Sequence, residues 1–431
     1  MTTTLSASKK LFIPQIPSKN ISLALPGITH QARETVAEIL EENHYKHHAF
    51  FNEKGFHNHL AHGVLASYSL GASPDRLQAI YKHHAAEQRP IGSLKKNFTS
   101  ADWKSEVGNQ DFYASYLEFF RHEVPRLGRV EAIIKYAFDT DVLGRTFSGA
   151  FHPLIHLGYG VDFGIDAIVA EGLAMMAITS TMMAPFVVAP TTAVERMTTK
   201  VVSHLSISEH SSAKSIVDIL TALREDRELD GVTSYPEPNK TMDVAKSKVA
   251  VSKIQHLLSE WKVEDTAQDI DLKAKDLYKA CVLAVGGTGL RNGKVKQDFF
   301  LMHALTSVLF VHKLAHALPP AYAVSCMTSH LGTCLAYYIS RGRPPIDVDA
   351  LLHYHGKHPL DTSNPWLSLV KRAIDTDDVH ITKVVRSCAL GDLLFGADES
   401  FSKLLMNTAQ IAVDVKGDWE FEGVGWPQAW E

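Results

Sequence analysis

Histidines paired at helical spacing are the residues of this sequence best suited to do chemistry. The chain holds 23 histidines among 431 residues. His59 and His62 lie three positions apart and His152 and His156 lie four apart, so a helix would project each pair from one face. Imidazole nitrogens presented in this way are suited to binding a metal ion. The competing interpretation is a core histidine bonded to polar neighbours, and for His59 and His62 the spacing alone favours it.

Two later segments place a histidine on or beside an apolar helical stripe. His303 shares a predicted face with Phe299 and Phe310, which indicates a core-facing position. His380 flanks the apolar stripe of its own predicted helix, and Lys383 lies about 140° from the centre of that stripe. Amphipathicity therefore predicts that Lys383 is a surface residue. An ordinary ammonium group also has no lone pair to give to a metal.

The other histidine groups are predicted to lie at the surface. His312 and His316 fit a solvated helix edge near a C-terminus, where a protonated imidazole suits the helix dipole. Polar or loop-like surroundings predict exposure for five more histidines, which are His83, His84, His353, His355 and His358.

Several familiar catalytic patterns are absent from the sequence. The glycine-rich run at residues 282–294 has the spacing GxGxxxG rather than GxGxxG, and it follows a predicted helix rather than a strand. The chain contains no GxSxG nucleophile elbow, no Walker A motif and no HExxH motif. These absences argue against a nucleotide-binding loop, a serine hydrolase and a zincin.

Composition and charge limit the class of protein. Hydrophobic residues make up 45% and charged residues 21%, which is the balance of a globular chain with a large core. A net charge of -5 without a basic stretch argues against a nucleic-acid partner. The most apolar run, residues 172–188, is interrupted by threonine, serine and proline, so it predicts a buried helix and no membrane span.

The cysteines and the N-terminus indicate the compartment. The four cysteines, Cys281, Cys326, Cys334 and Cys388, form no CxxC pair, which favours free thiols in a reducing environment. The first residues lack the continuous apolar core of a signal peptide. We therefore expect a cytoplasmic protein without disulfides.

The elements that must position these side chains are predicted to be helices. Ser73 followed by Pro74 suits an N-cap and a first helical turn. A helix at 111–123 is predicted to end ahead of Pro125, and one long apolar helix is predicted over 162–183. Alternating β-branched runs are scarce. Further helices are predicted at 129–138, 212–226, 245–262, 268–285, 298–317, 320–340, 364–374, 378–394 and 399–413.

The predicted fold class is all-α. The helices are expected to form a single large domain over residues 1–431, or two helical halves around a central metal site. Residues 228–240, rich in glycine, proline and polar side chains, predict a surface loop. The ends, residues 1–28 and 415–431, look irregular, and the C-terminal tryptophans are expected to pack back onto the helical body.

Four segments taken together resemble the questin oxidase-like family. They are FHNHLAHGVLASYSLGASPDRLQ from Phe56, FHPLIHLGYGVDFG from Phe151, FFLMHALTS from Phe299 and DDVHITKVVRS from Asp377. They occur in the family's order over residues 30–395, and the combination is specific although each segment alone is not. The resemblance implies an oxygenase of secondary metabolism that opens the quinone ring of an anthraquinone-type aromatic polyketide to a benzophenone product.

The resemblance also implies a metal site. In one branch of the family the chemistry is ascribed to a mononuclear non-haem iron, Fe(II), with O2 as co-substrate. Its ligands there are four histidines and a lysine carboxylated on its amine by CO2. The matching positions in this sequence are His59, His152, His303, His380 and the carboxylated Lys383. His62 and His156 are the alternative ligands within their pairs.

The implied ligand set leaves alternatives for the function. Four imidazoles and one anion exceed the usual count of zinc and suit a five- or six-coordinate iron. Tyr159, Phe299 and Phe310 are predicted to line the substrate pocket. An NADPH-dependent Baeyer–Villiger-type oxidoreductase acting on the same aromatic polyketides is the first alternative. A non-catalytic helical binding protein with structural histidines is the second, and no feature of the sequence sets the oligomeric state.

Overall fold

The structure, a computed structural model, describes residues 12–14, 23–191, 215–361 and 363–431. Helices carry nearly all of its regular structure, which confirms the all-α prediction. Most of the predicted irregular N-terminus lies outside the described residues, and so do the first three residues of the helix predicted at 212–226.

The described part of the chain before residue 192 holds the first group of helices. They are His30–Lys46 (α1), Leu60–Ser69 (α2), Pro74–Ala85 (α3), Tyr113–Leu127 (α4), Arg129–Ala132 (α5), Leu143–Phe147 (α6), His152–Phe163 (α7) and Asp166–Ile178 (α8). The π turn Ile133–Ala137 continues α5. Short 3-10 turns lie outside these helices, at Trp103–Glu106, Gln110–Phe112 and Ala184–Phe186.

The second part of the chain holds the longest helices. They are Ile216–Glu225 (α9), Lys240–Lys246 (α10), Lys248–Glu260 (α11), Ala267–Val282 (α12), Phe299–Ala317 (α13), Pro320–Ser340 (α14), Val348–Leu352 (α15), Pro365–Asp375 (α16), Val379–Phe395 (α17) and Glu399–Val415 (α18). A π turn, Leu283–Gly287, extends α12. The strands are two residues each, and they are Leu290–Arg291 (β1), Lys294–Val295 (β2), Gln297–Asp298 (β3) and Trp419–Glu420 (β4).

Three helix boundaries test the predictions made from capping residues, prolines and apolar periodicity. α3 begins at Pro74, and the Ser73 side chain accepts a hydrogen bond from the amide of Arg76, as predicted. α4 runs through Pro125, so its predicted end was wrong. A proline close to a helix end removes little of the hydrogen-bond ladder. The single helix predicted over 162–183 was also wrong, because the chain turns at Gly164 with φ 70° and separates α7 from α8.

The helices that carry the candidate site pack against one another. α7 lies against α8 and α13, and α17 lies against α2, α13 and α18. α7 and α13 approach closely at Gly158, where a Cβ would stand 2.3 Å from Cβ of Phe310. The buried hydrophobic side chains form one connected core. A change in any of these helices would therefore be felt at the site between them.

The C-terminal segment is more regular than predicted. β4 pairs in parallel with β3, and Pro427–Trp430 forms a 3-10 turn. Trp419 and Trp430 are buried, so the tail packs onto the helical body as expected.

The predicted loop at 228–240 contains the end of a 3-10 turn, Arg227–Leu229, and otherwise only turns and bends up to the start of α10. Leu229 and Lys240 are buried in it, while its other residues are exposed or half-buried. The segment therefore runs along the surface of the helical body.

One described helix, α13, is long and apolar enough to cross a membrane by length and composition. In the folded chain 78% of its most apolar window is buried inside the protein. The core helix of a globular protein passes the same test, so α13 is weak support for a membrane span.

Candidate metal centre

Four helices each bring one histidine to a common point in the core. His59 is the N-cap residue of α2, His152 is the first residue of α7, and His380 is the second residue of α17. His303 lies one turn into α13. Three helix N-termini therefore meet at this point, and their partial positive charges favour an anionic group there.

The four imidazole rings are close neighbours. Nε2 of His59 lies 2.7 Å from Nε2 of His152. The ring centroids of His59 and His380 are 4.7 Å apart, and those of His303 and His380 are 5.4 Å apart. The centroids of His152 and His303 are separated by 4.8 Å. The structure thus brings together the histidines that the family resemblance implied, while their role as ligands stays a prediction.

Hydrogen bonds at Nδ1 orient three of these rings. Nδ1 of His152 and Nδ1 of His303 each donate to a backbone carbonyl, over 2.6 Å and 2.7 Å respectively. Nδ1 of His380 donates to the carboxylate of Asp378 over 2.9 Å. A proton fixed on Nδ1 leaves the lone pair on Nε2. This is the arrangement that carboxylates and carbonyls impose on metal-binding imidazoles.

Three buried nitrogens of the cluster are unpaired. Among the residues that the structure describes, Nε2 of His303, Nε2 of His380 and Nζ of Lys383 have no hydrogen-bond partner. Burial lowers the pKa of His303 well below its ordinary value and that of His380 to about 4. The rings are therefore neutral at neutral pH. Unpaired buried polar atoms are costly, and a bound cation would offset that cost.

Lys383 is buried, contrary to the prediction from amphipathicity. Its side chain is 2% exposed. The prediction was wrong because α2, α13, α16 and α18 all cover α17, so this part of the helix has no solvent face. Burial lowers the pKa of the Lys383 amine to about 7. After burial, the charge of this amine is the largest cause of the lowered pKa of His59 and His303.

His62 and His156 belong to a chain of hydrogen bonds beside the cluster. Nε2 of His62 lies 3.0 Å from Nδ1 of His156, whose Nε2 bonds to Glu171 over 2.9 Å. The other oxygen of Glu171 bonds to Nδ1 of His44 over 2.6 Å. Both nitrogens of His156 are thereby engaged, so the geometry disfavours it as an alternative ligand. His62 keeps one unpaired nitrogen, Nδ1, within the described part of the chain.

Sequence reasoning missed three side chains at this site. Glu171 could have been noticed as a carboxylate inside the apolar run of α8, and its hydrogen bonds to His156 and His44 outweigh burial and lower its pKa to about 2. His57 could have been noticed as the first histidine of FHNHLAH, and its ring stacks on His152 at 4.3 Å. His44 lies in α1, and nothing in the sequence of that helix distinguishes it from a structural histidine.

A left-handed turn positions His152. Gly149, Ala150 and Phe151 have φ angles of 58°, 51° and 63°. Non-glycine residues adopt this region at a cost of about 1 kcal/mol each. The amide of Ala150 donates to the hydroxyl of Tyr337 over 3.0 Å, which helps to hold the turn. The strained turn places the Gly149 carbonyl against Nδ1 of His152.

Gly149→Ala is expected to disturb this turn and its neighbouring rings. A Cβ at Gly149 would lie 2.6 Å from Cε1 of His57. We expect the free energy of unfolding to fall by about 1–3 kcal/mol, measured by denaturant unfolding. Gly92→Ala is the control, because Gly92 also has positive φ but nothing lies within 4 Å of its Cβ position. Equal losses in the two variants would show that the contact with His57 is unimportant.

A cavity of about 180 Å³ opens onto the cluster. The imidazole rings of His57, His59 and His152 form part of its wall. The remaining wall is mainly apolar and aromatic, and it includes Phe56, Met182, Phe299, Phe300 and Tyr337. The cavity therefore places an aromatic-lined space next to the buried nitrogens.

Two of the predicted pocket residues lie elsewhere. Phe299 lines the cavity, but Tyr159 and Phe310 are about 1% exposed and pack in the interior. The Tyr159 ring lies 4.5 Å from that of Phe310 and stacks on His62 at 5.2 Å. Tyr159 and Phe310 occupy the faces of α7 and α13 that contact each other. They therefore pack in the protein interior beside the histidines and not in the cavity.

The imidazole nitrogens of the cluster are suited to a metal ion that takes more than four ligands. Two imidazole nitrogens bound at about 2.1 Å and at right angles stand about 3 Å apart. Nε2 of His59 and Nε2 of His152 are separated by 2.7 Å. Four neutral imidazoles exceed the three protein ligands usual in catalytic zinc sites. Imidazole donors with room for further oxygen ligands suit iron.

Asp378→Asn is expected to weaken metal binding by about 10- to 100-fold, because Asp378 orients His380 and increases its basicity. The carboxylate also accepts a hydrogen bond of 2.6 Å from Nε1 of Trp419. Competition with a metal chelator measures the affinity. Asp377→Asn is the matched control, since Asp377 is exposed and pairs with Arg76. Unchanged affinity in the Asp378 variant would contradict this role.

The fold and the site define an all-helical protein with a buried, histidine-rich centre that opens to an aromatic-lined cavity. The chain belongs to the questin oxidase-like family, whose profile matches residues 56–388. The matched region includes all four histidines of the cluster and Lys383. Membership makes the chain an oxidoreductase, so the alternative of a non-catalytic binding protein is set aside.

Individual relatives are similar over most of this chain. The Baeyer-Villiger oxidase ptaJ of Pestalotiopsis fici is 28% identical and aligns with 83% of this chain and 80% of its own. The oxidoreductase AflY of Aspergillus parasiticus is 27% identical over 84% and 74%. A questin oxidase of Aspergillus terreus is 26% identical over 93% and 92%.

Proposed function

We propose that this protein is a non-haem iron-dependent oxygenase of secondary metabolism. Its substrate is an anthraquinone-type aromatic polyketide, and cleavage of the quinone ring yields a benzophenone product. The observation that carries the proposal is the group of neutral imidazoles with the unpaired amine of Lys383, next to an aromatic-lined cavity. Fe(II) held by these residues would supply the activation of O2. The name of the Aspergillus terreus relative supports the substrate class.

Lys383 supplies the anionic ligand in this proposal. With a pKa of about 7, a large share of the amine is uncharged at neutral pH. The uncharged amine is the form that reacts with CO2. The carboxylated side chain offers an oxygen donor, and the N-termini of α2, α7 and α17 favour its negative charge. Burial keeps bulk water from the modified group.

The wall of the cavity is suited to a flat aromatic substrate. The rings of Phe299 and Phe300 provide apolar faces, and the imidazoles lie at the inner end. A volume of about 180 Å³ is smaller than most ligand pockets, which measure roughly 300–1,000 Å³. A polyketide of three fused rings therefore binds with its outer part at the mouth, beside Phe56. Lys54, also at the mouth, attracts a phenolate.

Metal analysis combined with turnover tests the proposal. The protein is loaded anaerobically with Fe(II) and supplied with questin or its hydroquinone and O2. We expect about one iron per chain, O2 uptake and a benzophenone product identified by mass spectrometry. Chelation should abolish turnover, and Fe(II) but not Zn(II) should restore it. Full activity in protein without stoichiometric iron would overturn the proposal.

A second candidate is an NADPH-dependent Baeyer–Villiger-type oxidation of the same substrate class. The name of the Pestalotiopsis fici relative favours it. This mechanism requires NADPH and no iron. Turnover by metal-free protein that depends strictly on added NADPH would support the second candidate. Turnover by the iron-loaded protein without NADPH would exclude it.

A further inference from the structure

The C-terminal segment at residues 417–424 lies against two helices of the four-histidine cluster. Its strand β4 pairs in parallel with β3, and β3 leads directly into α13, the helix of His303. Trp419 of this segment is buried, and the centroid of its ring lies 6.1 Å from that of His380, on α17. The sequence predicts an irregular end at residues 415–431. The fold instead places part of this end next to the candidate metal centre.

Trp419 reaches the histidine cluster through one carboxylate. Its Nε1 donates to Oδ2 of Asp378 over 2.6 Å, and Oδ1 of Asp378 accepts from Nδ1 of His380 over 2.9 Å. Oδ1 also accepts from the backbone amide of His380 over 2.8 Å, because Asp378 is the N-cap residue of α17. Both carboxylate oxygens are thereby engaged, one by the indole and one by His380. The indole N–H therefore holds the carboxylate in the rotamer that orients the His380 ring.

Hydrogen bonds fix the backbone that carries Trp419. The Arg341 guanidinium, just after α14, donates to the carbonyl of Phe421 over 2.5 Å and to Oδ2 of Asp298 over 3.2 Å. The amide of Val424 donates to the same oxygen of Asp298 over 3.3 Å. Asp298 is in turn the N-cap residue of α13. The indole is therefore presented by a segment that is anchored to the ends of α13 and α14.

Gly417 leaves room for the bond between Trp419 and Asp378. The glycine lies just after α18 and has a φ of 83°, which residues with a side chain rarely adopt. A Cβ at this position would stand 2.5 Å from Oδ2 of Asp378, the oxygen that accepts from the indole. A side chain at Gly417 would therefore displace the carboxylate or the indole.

We propose that Trp419 is a positioning residue of the candidate metal centre, which orients His380 through Asp378. A carboxylate that bonds to a metal-binding imidazole fixes its orientation and raises its basicity. The indole N–H acts one step further out, because it fixes the carboxylate. With Nδ1 held, Nε2 of His380 stays available and is unpaired among the residues that the structure describes. The inference rests on the proposed function, since a bound metal gives this orientation its effect on the reaction.

Trp419→Phe tests the orientation of His380 in the metal-free protein. Phenylalanine keeps an aromatic ring but has no N–H, so Asp378 loses the bond at Oδ2. We expect the Nδ1 proton of His380 to exchange with water at least about tenfold faster, because its hydrogen bond opens more often. NMR of protein labelled with 15N in histidine measures this rate, and His380→Ala assigns the resonance. The measurement needs no metal.

Metal affinity is the second readout. Loss of an outer partner lowers the affinity of a metal site by about 10- to 100-fold. The indole is one hydrogen bond further from the metal, so Trp419→Phe should weaken Fe(II) binding by about 3- to 10-fold in chelator competition. Trp366→Phe is the matched control, because Nε1 of Trp366 also donates to a carboxylate, that of Asp392, over 2.7 Å. Asp392 lies near the far end of α17, so this variant should keep the parental affinity.

The Asp378→Ala background shows whether Trp419 acts through Asp378. Alanine accepts no hydrogen bond from the indole, so the addition of Trp419→Phe should change the affinity by less than about twofold. A role of the indole in packing alone would give the same loss in both backgrounds. Gly417→Ala is a second variant, which keeps the indole but places a Cβ against Asp378, and it should also speed the exchange of the His380 proton. Gly92→Ala, at another positive φ, should not.

Three outcomes would overturn the positioning role. One is parental exchange of the His380 proton in both Trp419→Phe and Gly417→Ala. Another is an affinity of the Trp419→Phe variant no lower than that of Trp366→Phe. The third is an equal loss of affinity in the parent and Asp378→Ala backgrounds. A parent protein that binds no iron would overturn the proposed function instead, and the proton exchange alone would then decide whether Trp419 orients His380.

Discussion

His303→Ala is expected to remove both metal binding and turnover. Nε2 of His303 is buried and unpaired within the described residues, and Nδ1 is held by the Phe299 carbonyl. Alanine offers no donor to replace this nitrogen. Loss of an outer partner of a metal ligand already costs about 10- to 100-fold in affinity or activity, so loss of the ligand should lower kcat/KM by more than about 100-fold.

His316→Ala is the matched control for this variant. His316 lies on the same helix, α13, but is exposed and pairs with Asp271. Iron content, kcat/KM and Tm are measured for both variants. The His316 variant should match the parent protein. A His303 variant that retains stoichiometric iron and full turnover would show that His303 is only a core histidine.

Lys383→Met is expected to abolish turnover while it stabilises the metal-free protein at neutral pH. Methionine fills a similar volume, cannot be carboxylated and carries no charge to bury. The amine has a pKa of about 7 in the folded chain and an ordinary value of 10.5. This difference disfavours folding of the charged form by about 1.4 kcal/mol for each pKa unit.

The sign of this effect sets its pH window. Between pH 7 and 10.5 the unfolded chain keeps the Lys383 proton and the folded chain does not. Lys383 therefore contributes a rise with pH to the free energy of unfolding of the metal-free protein in this window, by about 1.4 kcal/mol per unit. Below pH 7 the buried charge of Lys383 destabilises the folded chain by the full amount, and above pH 10.5 this destabilisation disappears. Lys383→Met should remove this contribution, so the slope should fall relative to that of the parent protein.

Denaturant unfolding from pH 6 to pH 10 measures this slope. Lys371→Met is the control, because Lys371 is an exposed lysine of α16 and its loss should leave the slope unchanged. A Lys383 variant with parental turnover would contradict the ligand role. A variant with the parental pH slope would contradict the burial of an unpaired amine.

Local sequence signals predicted most of the helices because caps, prolines and apolar periodicity act over a few residues. α13, α14 and α17 lie within one or two residues of their predicted bounds. The failures have local causes as well. Periodicity did not reveal the left-handed Gly164 between α7 and α8. The rule for proline gave too early an end to α4, where Pro125 is accommodated in the last turn.

The sequence could nominate site residues but could not group them. Spacing treated His59 and His62 as one helical pair, whereas His59 precedes α2 and contacts His152 instead. The resemblance to the questin oxidase-like family selected the histidines that the fold brings together. His44 and Glu171 escaped notice, because their pairing joins positions 127 residues apart.

The amino-acid sequence by itself determined the helical class, the family and the set of histidines available to a metal, since each of these depends on residue type and short-range spacing. The tertiary structure alone decided which nitrogens converge and that Lys383 is buried among them. Burial depends on the helices that cover a residue and not on the amphipathicity of its own helix. For α17, coverage by α2, α13, α16 and α18 places a lysine with a neutral-range pKa at the centre of the candidate site.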